Sequence, residues 1–554
     1  MQAAVKNTHR NSSGASSLPR ALLALLLCIT LIPIAALVII SFRGNATVWA
    51  HLLQYVLPGA AWQTAILLLL VALGTGIIGT GTAWLTTLCA FPGRKYFAWA
   101  LMLPLAVPTY IAAYAHVEIF DYSGPLQSAV RAIGGFSTSR DYWFPDIRSL
   151  WGAGLVFSSV LYPYVFLTSR LTFSMQGSSA LDVSRSLGSR PLRMFRKVGL
   201  PMARPAIAAG VALALMESMN DIGAVEYLGV KTLTLAVFDT WLNRDSLAGA
   251  AQLSLIVLII VLLLIWIERR SQGKRSYSAS AREKPPALLE LTRRQQWLAI
   301  VACALPIIAG LGVPLFVLGG YALKRLDQIS DPALLDAALN SALVALCAGL
   351  LAVLISYTVL LTNRITGNAT IGRVGRLASL GYAVPGTVLG IGLLIPLAAF
   401  DNAVDLTSRS VFGVSTGLLI SGSIFIIVYA CTLRFLAVAW GTLETGFSRM
   451  SPHVDMAARA LGRRSLQLAW EVHTPIMRNA IGAAFLLVFV ESMKELSATL
   501  LLRPFNFQTL ATLVYDKASQ SSVEDAAVAA LTIIVIGLVP VVFLTRFSLG
   551  PRNS

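Results

Sequence analysis

The chain has 554 residues, of which 56% are hydrophobic and only 12% are charged, and its formal net charge is +17. A soluble globular domain carries roughly 25% charged residues, so this composition excludes an ordinary soluble protein and indicates a polytopic membrane protein. The apolar runs are long enough for helices of about 20 residues, and the alternating pattern of a transmembrane β-barrel is not seen.

Twelve membrane spans are predicted in chain order. They are 21–41, 62–89, 97–118, 150–169, 202–222, 247–267, 297–319, 337–361, 377–400, 411–433, 476–497 and 525–545. Their length and composition predict an all-α protein.

A polar and basic linker, 268–296, divides these spans into two sets of six. We therefore expect an N-terminal tail at 1–20, a first transmembrane domain at 21–267 and a second at 297–546. The last residues, 547–554, form a short tail. An even number of spans in each set makes the two domains run in the same direction, as parallel pseudo-repeats about an axis along the membrane normal.

Charge predicts the orientation of the chain. With the N-terminus in the cytoplasm, most of the 43 Lys and Arg residues fall in cytoplasmic segments and most of the 26 Asp and Glu residues fall elsewhere. The positive-inside rule then places both termini in the cytoplasm. The basic residues are spread over separate cytoplasmic segments, so a nucleic-acid partner is not expected.

A basic segment is repeated in the two halves. Ser184–Pro201 aligns with Ala458–Pro475 at a constant offset of 274 residues, with seven identities. The identical pairs are Arg185/Arg459, Leu187/Leu461, Gly188/Gly462, Arg190/Arg464, Leu192/Leu466, Val198/Val472 and Pro201/Pro475. Both copies follow the fourth span of their half, on the predicted cytoplasmic side.

The first copy has the pattern of a short amphipathic helix. Leu192, Phe195 and Val198 recur every three residues, with basic residues on the other faces. Gly188 would end a preceding helix in a left-handed turn, and Pro201 would start the next helix. A basic helix lying on anionic membrane lipid is the alternative interpretation.

These segments resemble the signature loop of permease subunits of binding-protein-dependent ABC importers. That signature reads Glu-Ala-Ala, three residues, Gly, nine residues and Ile-x-Leu-Pro. The first copy has Asp182-Val183-Ser184, Gly188 and Val198-Gly199-Leu200-Pro201; the second has Met456-Ala457-Ala458, Gly462 and Val472-His473-Thr474-Pro475. The resemblance implies the type I importer permease fold, with coupling loops at 170–201 and 434–475 that dock onto ATPase subunits.

The resemblance also implies the residues that contact the ATPase. They are Asp182, Arg185, Gly188, Leu192, Phe195 and Pro201 in the first copy, and Asp455, Ala457, Ala458, Arg459, Gly462, Leu466 and Pro475 in the second. Asp182 keeps an acid where the family has Glu, whereas the aligned Met456 does not, although Asp455 is adjacent. The two halves are therefore expected to couple unequally.

Four further stretches are similar to the fused, two-domain permeases of ferric-iron importers. They are "LPLAVPTYIAAYA", "FDYSGPLQSAVRA", "DYWFPDIRSLWGAGLVFSSVLYPYVFL" and "LMESMNDIGAVEYLG". Related permeases carry thiamine, phosphonates, sulfate or polyamines, so these substrates remain alternatives to ferric iron.

The implied assembly has three kinds of component. Two copies of a separate ATP-binding subunit would bind ATP and Mg, a periplasmic solute-binding protein would deliver the substrate, and this chain would span the bacterial inner membrane without a cofactor or enzymatic activity of its own. The sequence has no GxxxxGK[ST] phosphate loop. A secondary transporter driven by an ion gradient is the alternative from a different class.

Polar residues inside spans form a second candidate site, because charges in a membrane are costly and commonly functional. Glu217 and Asp221 share one helix face, and Glu491 and Glu495 are their equivalents at the same offset of 274. The set Glu217, Asn220, Asp221, Glu491, Lys494 and Glu495 would line a pathway between the halves. Pairing or packing within the helix bundle is the alternative role, and whether any metal binds here is left open.

Overall fold

The computed structural model describes residues 17–43, 46–186, 191–272, 288–378, 384–463 and 467–548, and it is predominantly helical over these ranges. A chain that crosses lipid must pair its own backbone groups, which an apolar helix does. The helices up to the linker are α1 Ser17–Ser41, α2 Ala46–His51, α3 Leu57–Leu88, α4 Arg94–Ala100, α5 Thr109–Phe120, α6 Pro125–Gly134, α7 Leu150–Ser186, α8 Pro191–Met194, α9 Leu200–Asn220, α10 Ile222–Tyr227, α11 Leu233–Leu242 and α12 Leu247–Gln272.

The second half continues the helical pattern. Its helices are α13 Arg293–Ile307, α14 Val313–Lys324, α15 Pro332–Thr366, α16 Ala369–Ala378, α17 Gly386–Phe412, α18 Ile424–Ser448, α19 Pro452–Ala460, α20 Thr474–Met493, α21 Ser497–Leu502, α22 Leu510–Ser519 and α23 Val523–Ser548. Short 3₁₀ turns cover Leu103–Ala106 and Leu326–Ser330. The all-α prediction missed one small feature: strand β1, Cys89–Ala90, pairs in parallel with strand β2, Leu289–Glu290.

Among the described residues, ten helical segments are long and apolar enough to span a membrane, and a bent pair brings the number to eleven. The expected first span, 21–41, lies within α1. Side chains are described for only part of that helix, and the apolar stretch counted there is Leu27–Ser41. Each of the twelve predicted spans therefore has a helical counterpart.

The expected third span, 97–118, is not one straight helix. Arg94–Ala106 and Thr109–Gly134 meet at a bend of 97°. Pro104 and Pro108 cause this break, because proline lacks the N–H that would continue the helical ladder and its ring clashes with the preceding turn.

The predicted tenth span, 411–433, begins and ends earlier than the helix that the structure shows. The second coupling loop, predicted to start at 434, starts within that helix. The structure has α18 at Ile424–Ser448, preceded by a loop after α17. Asp401 holds that loop by accepting a hydrogen bond from the Ser421 backbone N–H at 2.7 Å, and Asp405 does so from the Thr416 N–H at 2.7 Å. In the first half, α7 likewise continues to Ser186, through the first part of the expected loop 170–201.

Four π-helical turns in the described chain lie before prolines. They are Leu52–Val56 before Pro58, Phe195–Gly199 before Pro201, Ile308–Gly312 before Pro314, and Leu468–His473 before Pro475. In each, the residue before the proline donates its N–H to a carbonyl five residues back: Leu57 to Leu52, Leu200 to Phe195, Val313 to Ile308 and Thr474 to Ala469. The wider turn accommodates the proline ring without breaking the helix.

These turns correct the expected break at Pro201. The backbone is helical from Pro191 to Asn220, so the docking residues before Pro201 are continuous with the fifth span. Because the π turns before Pro201 and Pro475 align at the same offset of 274, the repeat extends to local backbone geometry.

The compact units of the structure do not follow the two sequence halves. One comprises Met1–Leu37, Ala342–Val384 and Gly392–Ser492, and the other comprises Val38–Ser341, Pro385–Ile391 and Met493–Ser554. In the first unit, the Tyr429 hydroxyl donates to the Ile29 carbonyl at 2.8 Å, which fixes α1 against a helix of the second half. The second unit has an apolar cluster that includes Trp84, Tyr162 and Phe166.

Candidate functional site

The second repeated segment contains a short helix and a glycine turn. Helix α19, Pro452–Ala460, is hereafter the second docking helix. Gly462 follows it with φ of +78°, in the left-handed region that favours glycine. The Arg463 N–H reaches back to the Ala458 carbonyl at 3.1 Å, which closes the C-terminal cap typical of such turns.

The second docking helix exposes an apolar face. Met456 is 56% exposed and Leu461, just after the helix, is 81% exposed. Ala457 and Arg459 are also exposed, whereas Ala458 is buried. This face is therefore available to another molecule. Of the remaining docking candidates, Pro475 is exposed and Leu466 lies outside the described residues.

Asp455 points away from that face and is bound within the chain. Its carboxylate accepts a hydrogen bond from Arg364 Nε at 2.8 Å and lies 2.7 Å from His473 Nε2. Burial raises the pKa of Asp455, but the hydrogen bonds from His473 and Arg364 outweigh it and hold this pKa below its ordinary value. Both carboxylate oxygens of Asp455 therefore have partners in this chain, and its contact with the ATPase stays a prediction.

Arg364 joins the second docking helix to the end of α18. Besides Asp455, its guanidinium donates to the carbonyls of Phe447 at 2.9 Å, Met450 at 3.3 Å and Ser451 at 3.2 Å. The last carbonyls of a helix have no partners within the helix, and a cation there is favoured by the helix dipole. We call Arg364, Asp455 and His473 the Arg364 cluster.

Aromatic packing surrounds the histidine of this cluster. The Phe447 ring meets the His473 ring edge to face at 6.2 Å and stacks on Tyr357 at 5.7 Å. The Tyr357 hydroxyl lies 2.8 Å from the Thr474 hydroxyl. The start of α20 is thereby fixed to α15 and α18.

The first repeated segment is held by aromatic side chains. The Trp84 ring meets Phe173 edge to face at 5.4 Å and Phe195 at 5.1 Å. Gly199 is buried against Trp84, where a larger residue would clash with the indole. Phe195, predicted as an ATPase contact, therefore also anchors the segment to α3. We call Trp84, Phe173, Phe195 and Gly199 the Trp84 cluster.

The remaining docking candidates of the first copy are described only in part. Asp182 and Arg185 lie in α7 and Leu192 lies in α8, but their side chains are outside the described set. Gly188 is outside the described residues altogether. Pro201 lies in the first turn of α9.

Two of the predicted pathway acids act as equivalent helix caps. Asp221 Oδ1 accepts from the Ala224 N–H at 2.8 Å, and Glu495 Oε1 accepts from the Ala498 N–H at 2.8 Å. These two bonds match at the repeat offset of 274. Each carboxylate thus satisfies an N–H group at the start of a short helix and complements its dipole.

Hydrogen bonds around Asn220 join four helix starts. Asn220 Oδ1 accepts from the Gly386 N–H at 2.7 Å, and its carbonyl accepts from the Ser497 hydroxyl at 2.5 Å. Asp221 also accepts from the Thr109 hydroxyl, directly after the proline break. We call Thr109, Asn220, Asp221, Gly386, Glu495 and Ser497 the polar junction; it connects segments of both sequence halves within one compact unit.

The other predicted pathway residues are half-buried. Glu217 lies in α9 and Glu491 in α20, with Lys494 just after α20. Among the residues that the structure describes, no group of three or more His, Cys, Asp or Glu side chains could hold a metal ion. The geometry of Asn220, Asp221 and Glu495 matches the packing alternative, because their oxygens are bonded to helix starts.

Sequence reasoning missed the residues that anchor the docking segments. Arg364, Trp84 and His473 were not among the predicted site residues. One signal was present: His473 aligns with Gly199, so the repeat replaces the smallest residue with a large polar one two residues before the shared proline.

Comparison with known proteins agrees with this architecture. Residues 77–275 match the family model described as "Binding-protein-dependent transport system inner membrane component". The Fe(3+)-transport system permease protein FbpB 2 of Haemophilus influenzae is 25% identical over 494 residues, which cover 88% of this chain and 89% of that protein.

Two other relatives match about half of the chain. The sulfate transport system permease protein CysT of Salmonella typhimurium is 28% identical over 43% of this chain and 86% of its own length. A putative 2-aminoethylphosphonate transport system permease protein, PhnU, of Salmonella choleraesuis is 25% identical over 46% of this chain and 91% of its own length. These proteins align with one half of the chain's length, as expected for a fused chain.

The match at 77–275, the multiple apolar helices and the full-length similarity lead to one conclusion. The chain is a multi-pass inner-membrane protein that carries a binding-protein-dependent transport system inner membrane component domain at 77–275, and over most of its length it is similar to a transport-system permease protein.

Proposed function

We propose that this chain is the fused transmembrane subunit of an ATP-driven importer that moves ferric iron from a periplasmic binding protein to the cytoplasm. The assignment of ferric iron as substrate rests on the similarity to a Fe(3+)-transport permease over 88% of the chain, which spans both halves. The sulfate and aminoethylphosphonate permeases cover only 43% and 46% of it.

The partners follow from the doubled docking segment. One ATP-binding subunit would bind at each copy, so two would bind per chain, and ATP and Mg would be held there rather than in this chain. The exposed apolar side chains of Met456 and Leu461 support this role for the second copy, since exposed apolar side chains outside the membrane are typical of an interaction surface. Both termini and both docking segments would be cytoplasmic.

We propose that the polar junction holds these helix starts together while the halves alternate access. Selectivity for ferric iron would then come mainly from the binding protein. The proposal includes no tight metal site in the permease, because the described residues offer no cluster of ligands for one.

Uptake into proteoliposomes tests the substrate. The chain would be purified from its native membrane with its bound subunits, reconstituted, and supplied with the binding protein and labelled ferric iron, sulfate or 2-aminoethylphosphonate. We expect uptake of iron alone, and only with ATP at the ATPase side. Uptake of sulfate or 2-aminoethylphosphonate would show that this anion, and not ferric iron, is the substrate. Uptake that continues after ATP depletion but stops with an ionophore would favour the secondary transporter.

A further inference from the structure

We propose that Arg364 is a positioning residue for energy coupling, which makes the second docking helix move together with the ends of α15, α18 and α20. The proposal rests on the proposed function, because it assumes that an ATPase subunit binds this helix and moves it. It assigns the acid beside the signature, Asp455, to an internal contact rather than to the partner.

The contacts of Arg364 converge from three elements. The residue itself lies in the last turn of α15, it bonds Asp455 of the second docking helix, and it bonds the carbonyls of Phe447 and Met450 at the end of α18. Its side chain is 16% exposed and that of Asp455 is 17% exposed. A planar guanidinium can direct several donors at once, which an ammonium group cannot do with the same geometry.

His473 extends this connection to the fifth span of the second half. Its side chain is fully buried, and its Nε2 lies 2.7 Å from Asp455 Oδ1. Its other ring nitrogen, Nδ1, is buried and has no hydrogen-bond partner among the described residues. The contact with Asp455 is a buried polar link between the π turn before Pro475 and the docking helix, and an exposed ion pair of Arg463 with Glu471 at 3.1 Å joins the same turn to the residues after that helix.

The exposed side chains at the docking helix indicate where a force from a partner would act. Met456 and Leu461 are exposed, while Asp455 on the inner side is bound. A force on the exposed face is therefore transmitted through Asp455 to Arg364 and His473, and from them to three membrane helices. Without these bonds, a partner could still bind the exposed face, but its movement would reach the spans less completely.

The test separates binding, hydrolysis and transport in the reconstituted complex. The variants are Arg364→Lys, which keeps the charge but loses the planar fork, and Asp455→Asn. The matched control is Arg409→Lys, whose arginine makes a more exposed ion pair with Asp405 at 2.7 Å in the same compact unit. We expect both cluster variants to retain the ATP-binding subunits and ATP hydrolysis but to lose about tenfold in substrate moved per ATP, within the usual range of coupling between sites.

A second pair of variants covers the case in which Arg364→Lys does not fold. His473→Gln keeps a side-chain N–H near the position of Nε2, whereas His473→Leu removes it at similar volume. Transport per ATP should be preserved in His473→Gln and reduced in His473→Leu, which a packing role alone would not produce.

Three outcomes overturn the proposal. The first is wild-type transport per ATP in Arg364→Lys and Asp455→Asn. The second is equal behaviour of His473→Gln and His473→Leu. In the third, the amount of folded complex falls while transport per ATP in the remainder is unchanged, which would show a structural role. If the wild-type chain binds no ATP-binding subunit, the proposed function itself fails together with this inference.

Discussion

The two docking segments share their backbone but differ in the chemistry that anchors them. Both pass through a π turn before an aligned proline. The first is held by the Trp84 cluster, with Gly199 against the indole, and the second by the Arg364 cluster, with His473 at the equivalent position. The two copies therefore share the same backbone path, but the first is anchored by apolar contacts and the second by ionic ones.

This difference implies that the two segments respond to different perturbations. Apolar packing is insensitive to salt, whereas a partly buried ion pair is screened to some degree. The sequence predicts unequal coupling of the two halves from the difference between Asp182 and Met456. The structure adds that the residues that anchor the two segments also differ.

The largest effect is expected from Trp84→Ala. Trp84 is only 6% exposed and contacts two other aromatic rings, so its truncation should cost about 4 kcal/mol in free energy of unfolding. Thermal unfolding in detergent at low and high salt would measure it. A loss that depends strongly on salt would contradict the apolar anchoring of the first segment.

Arg364→Ala should cost slightly less, about 3 kcal/mol, because it removes one donor from Asp455 and from the carbonyls of Phe447, Met450 and Ser451. The double variant Arg364→Met with Asp455→Leu removes both charges and should be more stable than Arg364→Ala. The same unfolding assay compares them. If the double variant is the less stable, the ion pair is a net source of stability rather than a device for positioning.

Gly462→Ala tests the turn after the second docking helix. At φ of +78° an alanine is strained, so a loss of about 1 kcal/mol is expected even though no atom crowds its Cβ position. Gly441→Ala is the matched control, since Gly441 is helical and its Cβ position is also open. Equal effects of the two substitutions on the unfolding midpoint would show that the left-handed turn is unimportant.

The smallest effect is expected from Asp221→Asn. The amide oxygen can replace Oδ1 and accept from the Ala224 N–H, and the amide NH2 can donate to the Thr109 hydroxyl in place of Oδ2. Stability should therefore fall by less than about 1 kcal/mol, and uptake should persist. A capping role predicts this tolerance. Loss of uptake in a normally folded Asp221→Asn protein would instead indicate that the charge faces the transported ion.

Much of the architecture could be predicted from the sequence. Each of the twelve predicted spans has a helical counterpart, although two of them needed correction, and the repeat at an offset of 274 reappears in the π turns and in the caps formed by Asp221 and Glu495. These features are local or periodic, and local patterns are what a single sequence records well.

Long-range contacts could not be predicted in this way. Arg364 precedes Asp455 by 91 residues, and Tyr429 follows Ile29 by 400. Nothing in the composition around Arg364 distinguishes it from other arginines that flank spans on the cytoplasmic side. The length of α18 was also missed, because the polar loop before it is stabilised by Asp401 and Asp405 from the preceding helix.

Native mass spectrometry of the complex purified from its own membrane tests the central claim most directly. The account predicts one copy of this chain with two ATP-binding subunits, one for each docking segment. It also predicts that Trp84→Ala weakens binding at the first segment, so that complexes with one ATP-binding subunit accumulate. Arg364→Ala leaves Met456 and Leu461 exposed and should retain both ATP-binding subunits. A wild-type chain that carries no ATP-binding subunit would contradict the account.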